Sequence, residues 1–183
     1  MKKQETDKAA KPVQKGTAAS GKALRELLTD GIRDLYWAEN HLVKALAKMI
    51  SAASAPELVT ALTQHLGQTE GQVSRLEKIF ALLDEKAVAK KCDAMEGLTK
   101  EGEGLVEQTK AGTAVRDVGI ILASQKVEQY EIAAYTGLFR LASTLGLNDV
   151  ADLLEQNLAE EQQTDSILAD IAMNAINQSA ANE

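Results

Sequence analysis

Six residues of the kinds that hold cations fall at helical spacing along this chain: Glu39, His65, Glu128, Glu131, Glu161 and Asp165. Glu39 lies four residues after Leu35 and three before Leu42, inside the apolar stripe of its segment. Glu128 falls within the stripe of Val118, Ile121, Ile132 and Phe139, with Glu131 beside it. Glu161 and Asp165 are set into the stripe of Val150, Leu154, Leu158, Leu168 and Ala172. A carboxylate on a core-facing stripe costs free energy unless it is neutralised, paired or bound to a cation. Acids converging from several helices point to a cation, and hard oxygen donors suit iron, manganese, magnesium or calcium.

The segments that must position these groups read as four long amphipathic helices. The first opens near Ser20 or Gly21 and runs to about Ala53 on Leu24, Leu28, Leu35, Leu42, Leu46 and Met49. Trp37 and His41 project from its opposite side, where they are expected to be exposed in a monomer or part of a subunit interface. Ser54-Ala55-Pro56-Glu57 fits a helix start with proline in the first turn. The second helix then runs to about Asp84 on Leu58, Leu62, Leu66, Val73, Leu76, Phe80 and Leu83. Thr69 occupies the middle of that stripe, and His65 and Gln72 its edge. His65 reads either as a hydrogen-bonded structural residue or as a ligand.

Residues 85–112 contain Cys92 and the apolar positions Met95, Leu98, Leu105 and Val106. One short helix is expected there, and the length of the link predicts a crossover along the bundle. The third and fourth helices span about 113–145 and 148–175, joined at Gly146–Asp149, with Asn148 or Asp149 as cap. Residues 1–19 are lysine-rich, lack periodicity and are expected to be disordered, and 177–183 are expected to fray. The fold class that follows is all-α: two antiparallel helical hairpins forming a four-helix bundle over 20–176, with a short fifth crossover helix.

Residues equidistant from a hairpin turn lie level with one another. A turn centred near residue 54 sets Glu39 level with Thr69. A turn between 146 and 147 sets Glu131 about level with Glu161, and Glu128 with Asp165. Acids from three helices thus meet at mid-bundle, the geometry of carboxylate-bridged di-iron and di-manganese centres. That pattern takes a Glu from each of two helices and Glu-x-x-His from each of the other two. This chain departs from it, with Thr69 in place of a Glu and Thr164 in place of a His. Tyr135, one turn beyond Glu131, is placed either to hydrogen-bond a carboxylate or to pack in the core with its hydroxyl at the rim.

Composition sets the outer bounds. The 183 residues suffice for one domain with a core. Apolar residues at 45%, aromatics at 3% and two prolines favour helix. A net charge of -7 argues against a general nucleic-acid binder, while the lysines of residues 1–19 leave a basic arm as a reading to test. A single cysteine, Cys92, excludes an internal disulfide and a thiolate metal cluster. No apolar run approaches the roughly 18 residues of a bilayer span. The lysine-rich start lacks the apolar stretch of a secretory signal, so a cytoplasmic protein with no membrane partner is expected.

Five runs carry a family resemblance: ELLTDGIRDLYWAEN (26–40), QHLGQTEGQVSRLEKIF (64–80), CDAMEGLTKEG (92–102), QKVEQYEIAAYTGL (125–138) and LLEQNLAEEQQTDSIL (153–168). In this order they resemble the YciE/YciF-type ferritin-like stress proteins, over about residues 22–172. The resemblance implies a ferritin-like four-helix bundle with a short fifth helix, related to rubrerythrins. It also implies a homodimer and a bacterial role in general stress responses. The family often carries Glu just before the position of Thr69, where this chain has Gln68.

Three functions are compatible with these residues. The first is a stress protein holding dinuclear iron or manganese on Glu39, Glu128, Glu131, Glu161, Asp165 and His65, with peroxide or ferrous-iron redox chemistry. The second is a non-enzymatic dimer with a degenerate site, acting through Tyr36, Trp37 and His41. The third is a DNA-protecting protein that uses the lysine arm.

Overall fold

The computed structural model describes residues 18–183, and the lysine-rich residues 1–17 lie outside the described part. Helix α1 spans Ala18–Ala52 and α2 Pro56–Leu82. Pro56 opens α2 where its missing N–H has no helical partner to lose. Asp84 closes α2 in the left-handed region at φ 56°, and the Glu85 N–H turns back to the Phe80 carbonyl at 2.9 Å. Helix α3, Asp93–Gln108, is capped by Cys92, whose sulfur accepts the Met95 N–H. Helix α4, Ala114–Thr144, is capped by the Thr113 hydroxyl. It ends at Gly146, φ 71°, where Leu147 N–H bonds the Ala142 carbonyl. Only glycine takes that conformation without strain.

Helix α5, Asn148–Ile171, starts from Leu147, and neither Asn148 nor Asp149 caps it as expected, because both already lie inside the helix. A π-helical turn, Ala172–Ile176, and a short α6, Asn177–Ala181, follow. The end expected to fray is thus helical to Ala181. Ile176 is buried in the core, and the Glu183 carboxylate accepts the N–H groups of Ala114 and Val115. An acid there favours the positive end of α4.

All the described secondary structure is helical, in a four-helix bundle of α1, α2, α4 and α5. Helix α1 packs on α2 and α4, and α5 on α4 and α2. The buried Asp117 at the start of α4 grips the α1–α2 turn, accepting from Ser54 N at 2.8 Å, Ser54 Oγ at 2.7 Å and Ala55 N at 2.9 Å. That contact sets α4 antiparallel to α1, so the link after α2 must run back along the bundle. Helix α3 makes that crossing against α1 and α4, held by Lys48–Glu103 at 2.6 Å and by Lys126–Glu101.

Helix α3 also corrects the reading of Trp37 and His41. They are half-buried, the indole stacked on the imidazole, and the His41 ring reaches the Thr99 hydroxyl of α3 at 2.9 Å. Tyr36 is half-buried against Phe80 and bonds Glu77.

The core divides into two apolar halves. One gathers Leu42, Leu46, Leu58, Leu62, Met95, Ile120, Ile121 and Leu168. The other gathers Leu28, Ile32, Leu35, Leu76, Ile79, Phe80, Leu138 and Leu154. Each helix of the bundle places buried polar residues between the two halves: Glu39, then His65, Thr69 and Gln72, then Glu128 and Glu131, then Asn157, Glu161 and Thr164. The bundle is therefore two oily ends around a polar layer.

Candidate metal centre

Each polar side chain in that layer is aimed inward by its place on the apolar stripe of its helix. His65, Glu128, Glu131 and Glu161 each offer one ligand atom, and these four atoms lie within 4.8 Å of one another. All four residues are at most 1% exposed. Such proximity of three carboxylates and an imidazole, away from water, is the donor set of a bound cation.

The satisfaction of these groups tests that fit. Both oxygens of Glu131 and Glu161, and Oε2 of Glu39 and Glu128, accept no hydrogen bond. His65 Nε2 lies 3.2 Å from Glu128 Oε1, yet lacks the alignment of a hydrogen bond. Buried polar atoms are otherwise almost always partnered. Concentrated here, the unpartnered acceptors fit a cation.

Electrostatics follow from the same burial. Loss of water pushes Glu39, Glu131 and Glu161 well above the ordinary carboxyl range, and the neighbouring carboxylates push further. Burial raises Glu128 to about 8. Burial lowers His65, keeping its imidazole neutral. Without a cation this layer holds protons, and a cation must displace them to bind.

The residues expected from spacing are placed as follows. Glu128, Glu131, Glu161 and His65 come together. His65, one of whose readings was structural, is the imidazole of the cluster. Glu39 is buried beside it on α1 but bonded to Tyr135. Asp165 is not in the cluster. It sits one residue round the helix from Thr164, half-buried, and accepts from Gln129 at 2.7 Å and Gln125 at 3.5 Å. Thr164, standing where the di-metal pattern has His, places its hydroxyl 3.4 Å from His65 Nδ1. The imidazole is thus supplied from α2, and Thr164 supports it from α5. Thr69 turns its hydroxyl back to the His65 carbonyl at 3.0 Å and supplies no carboxylate. The Tyr135 hydroxyl is fully buried, not at the rim, and donates a hydrogen bond to Glu39.

Two functional neighbours, Asn157 and Arg75, escaped the sequence reading, and a third, Gln72, was read only as an edge residue of the second helix. Asn157 lies on the buried face of α5, one turn before Glu161, and its Nδ2 donates to the Tyr135 oxygen at 3.0 Å. Arg75 reaches across from α2 to Asn157 and Glu160. Gln72 donates to Glu160 at 3.2 Å. The position of Asn157, three residues after Leu154 on an apolar stripe, was the available signal. Arg75 gave none, since its role depends on the partner helix.

Comparison with known proteins agrees with the fold. The profile of a family described as a domain of unknown function, DUF892, matches residues 23–181. Protein YciF of Escherichia coli K12 is 39% identical over 163 residues, covering 88% of this chain and 98% of that protein. The crystal structure of the E. coli stress protein YciF matches with a TM-score of 0.80 at 40% identity, over 85% of this chain and 98% of that one. YcfI from Rhodopseudomonas palustris matches with a TM-score of 0.78 at 38% identity, over 80% and 92% of the two chains. A protein from Xanthomonas campestris, with a TM-score of 0.69 at 22% identity over 87% of this chain and 97% of that one, shares the fold alone.

Proposed function

Because the chain belongs to the DUF892 family, with YciF of E. coli among its relatives, we propose that it is a cytoplasmic stress-response protein holding two ions of iron or manganese. The observation that carries this reading is the set of buried acceptors without hydrogen bonds in the mid-bundle layer. When bound, such ions supply redox chemistry toward peroxide or ferrous iron.

In this reading His65, Glu128, Glu131 and Glu161 form the nearer ligand set. Glu39, which retains a free Oε2, completes the site for a second ion. Thr164 holds the imidazole through Nδ1 while Nε2 faces the carboxylates. That orienting contact is the kind that tunes metal ligands. The apolar halves of the core exclude water on either side and strengthen each charge interaction within.

Titrating metal-free protein with Mn(II), read by the loss of the free-ion electron paramagnetic resonance signal, tests this. The reading expects saturation near two equivalents and a marked loss in Glu161→Ala. An unchanged free-ion signal in the wild type would sink it.

A homodimer is part of the same proposal. Its support is an open groove of about 520 Å³ between α1 and α4, lined by Leu27, Gly31, Ala134, Leu138 and Leu141, where Leu27 is 60% exposed. Sedimentation of the wild type and Leu27→Asp distinguishes a dimer broken by the charge from a chain that is monomeric throughout.

A further inference from the structure

A single hydrogen-bond chain crosses all four helices of the bundle. It starts at Arg75 on α2, passes through Asn157 on α5 and Tyr135 on α4, and ends at Glu39 on α1. Its direction is fixed by chemistry. A guanidinium only donates, so Asn157 must present Oδ1 to Arg75. Its Nδ2 then donates to the Tyr135 oxygen, at 3.0 Å. The phenolic proton has one remaining acceptor, Glu39 Oε1.

Asn157, Tyr135 and Glu39 are all fully buried, so the links between them are made by the protein's own groups. Glu39 is thereby held by one oxygen and keeps the other, Oε2, without a partner. Arg75 is anchored in turn by Glu160, which Gln72 also contacts.

We infer that Arg75 is a positioning residue of the metal centre, acting through Asn157 and Tyr135 to fix Glu39 as the ligand of the second ion. The inference rests on the dinuclear reading above, and Arg75 itself touches no member of the ligand set. Remove the guanidinium and the Asn157 amide is free to turn over. Oδ1 then faces Tyr135 and accepts its proton, and Glu39 loses its anchor. The ion bound by His65, Glu128, Glu131 and Glu161 does not depend on this chain.

Four variants separate positioning from mere packing. Arg75→Met removes the donor. Asn157→Asp keeps the shape and the contact with Arg75, but offers Tyr135 only acceptors. Tyr135→Phe breaks the last link. Arg75→Lys restores a donor. Two measurements apply to each. One is isotope-edited infrared spectroscopy of the tyrosine C–O stretch in metal-free protein, with Tyr135→Phe identifying the band. The other is Mn(II) titration, resolved into two binding steps.

Arg75→Met and Asn157→Asp should shift the Tyr135 band and weaken only the second step, by at least about tenfold, as for other supporting partners of metal ligands. Arg75→Lys should restore both. An unchanged band in Arg75→Met and Asn157→Asp, with both steps intact, overturns the role of Arg75 and leaves the dinuclear reading standing. A shifted band in a protein whose wild type takes up no Mn(II) has the opposite meaning. It supports the chain from Arg75 to Glu39 and overturns the dinuclear reading.

Discussion

His65 Nε2 on α2 lies 3.2 Å from Glu128 Oε1 on α4, both side chains at 1% exposure, without the alignment of a hydrogen bond. The imidazole is neutral, since burial lowers its pKa, and the carboxyl is raised to about 8 by the same burial. The two therefore do not form a charged pair near pH 7. They are two donors held close by the fold and left for a third party.

The pH dependence of metal-free stability follows. Glu128 has a folded pKa of about 8 against an ordinary value of 4.5. Its contribution is complete below 4.5 and is lost as pH rises through 8. Glu39, Glu131 and Glu161 shift in the same direction. His65 shifts downward from 6.5, so its contribution is complete above 6.5 and is lost as pH falls. The opposing slopes offset one another between 4.5 and 6.5, and the carboxyls act alone above that. The melting temperature of chelator-treated protein should fall from pH 6.5 to 9, and saturating Mn(II) should flatten the slope. Calorimetry across that range checks it.

Glu131→Gln separates stability from binding. Both Glu131 oxygens are buried without partners and burial raises its pKa, so the isosteric amide removes the cost of holding either a charge or an extra proton there. At pH 8 the variant should gain about 1 kcal/mol in urea denaturation, since part of the wild-type cost is already relieved by protonation. Metal affinity should fall by about tenfold or more.

Asp117 tests the fold independently of the site. Its carboxylate satisfies two backbone N–H groups and one hydroxyl at the α1–α2 turn. Asp117→Ala leaves these donors without their acceptor and frees the start of α4. The expected loss is about 3 kcal/mol by urea denaturation, from hydrogen bonds to a charged acceptor in a part-buried setting. A loss under about 0.5 kcal/mol, the range of ordinary surface changes, would contradict this role.

Much of this architecture was legible in the chain because helical periodicity and hairpin register are local rules. Counting from the turns placed Glu131 opposite Glu161 and put Glu39 at mid-bundle. It left His65 open between a structural residue and a ligand, because the pattern that guided the reading expects the imidazole on the helix where Thr164 stands. Asp165 was drawn into the site by the same stripe, and one residue of helical rotation carries it out to Gln129. Trp37 and His41 looked exposed because the path of α3 depends on Asp117 gripping a turn 62 to 63 residues earlier. The chain from Arg75 to Glu39 was invisible for a similar reason, since each link joins a different helix.

The metal content of the protein bears most directly on the central claim. Untagged full-length protein, expressed with added iron and manganese and gel-filtered without chelator, would be measured by plasma mass spectrometry. The account predicts about two iron or manganese ions per chain. Metal far below one per chain, persisting after reloading with either ion, would contradict it.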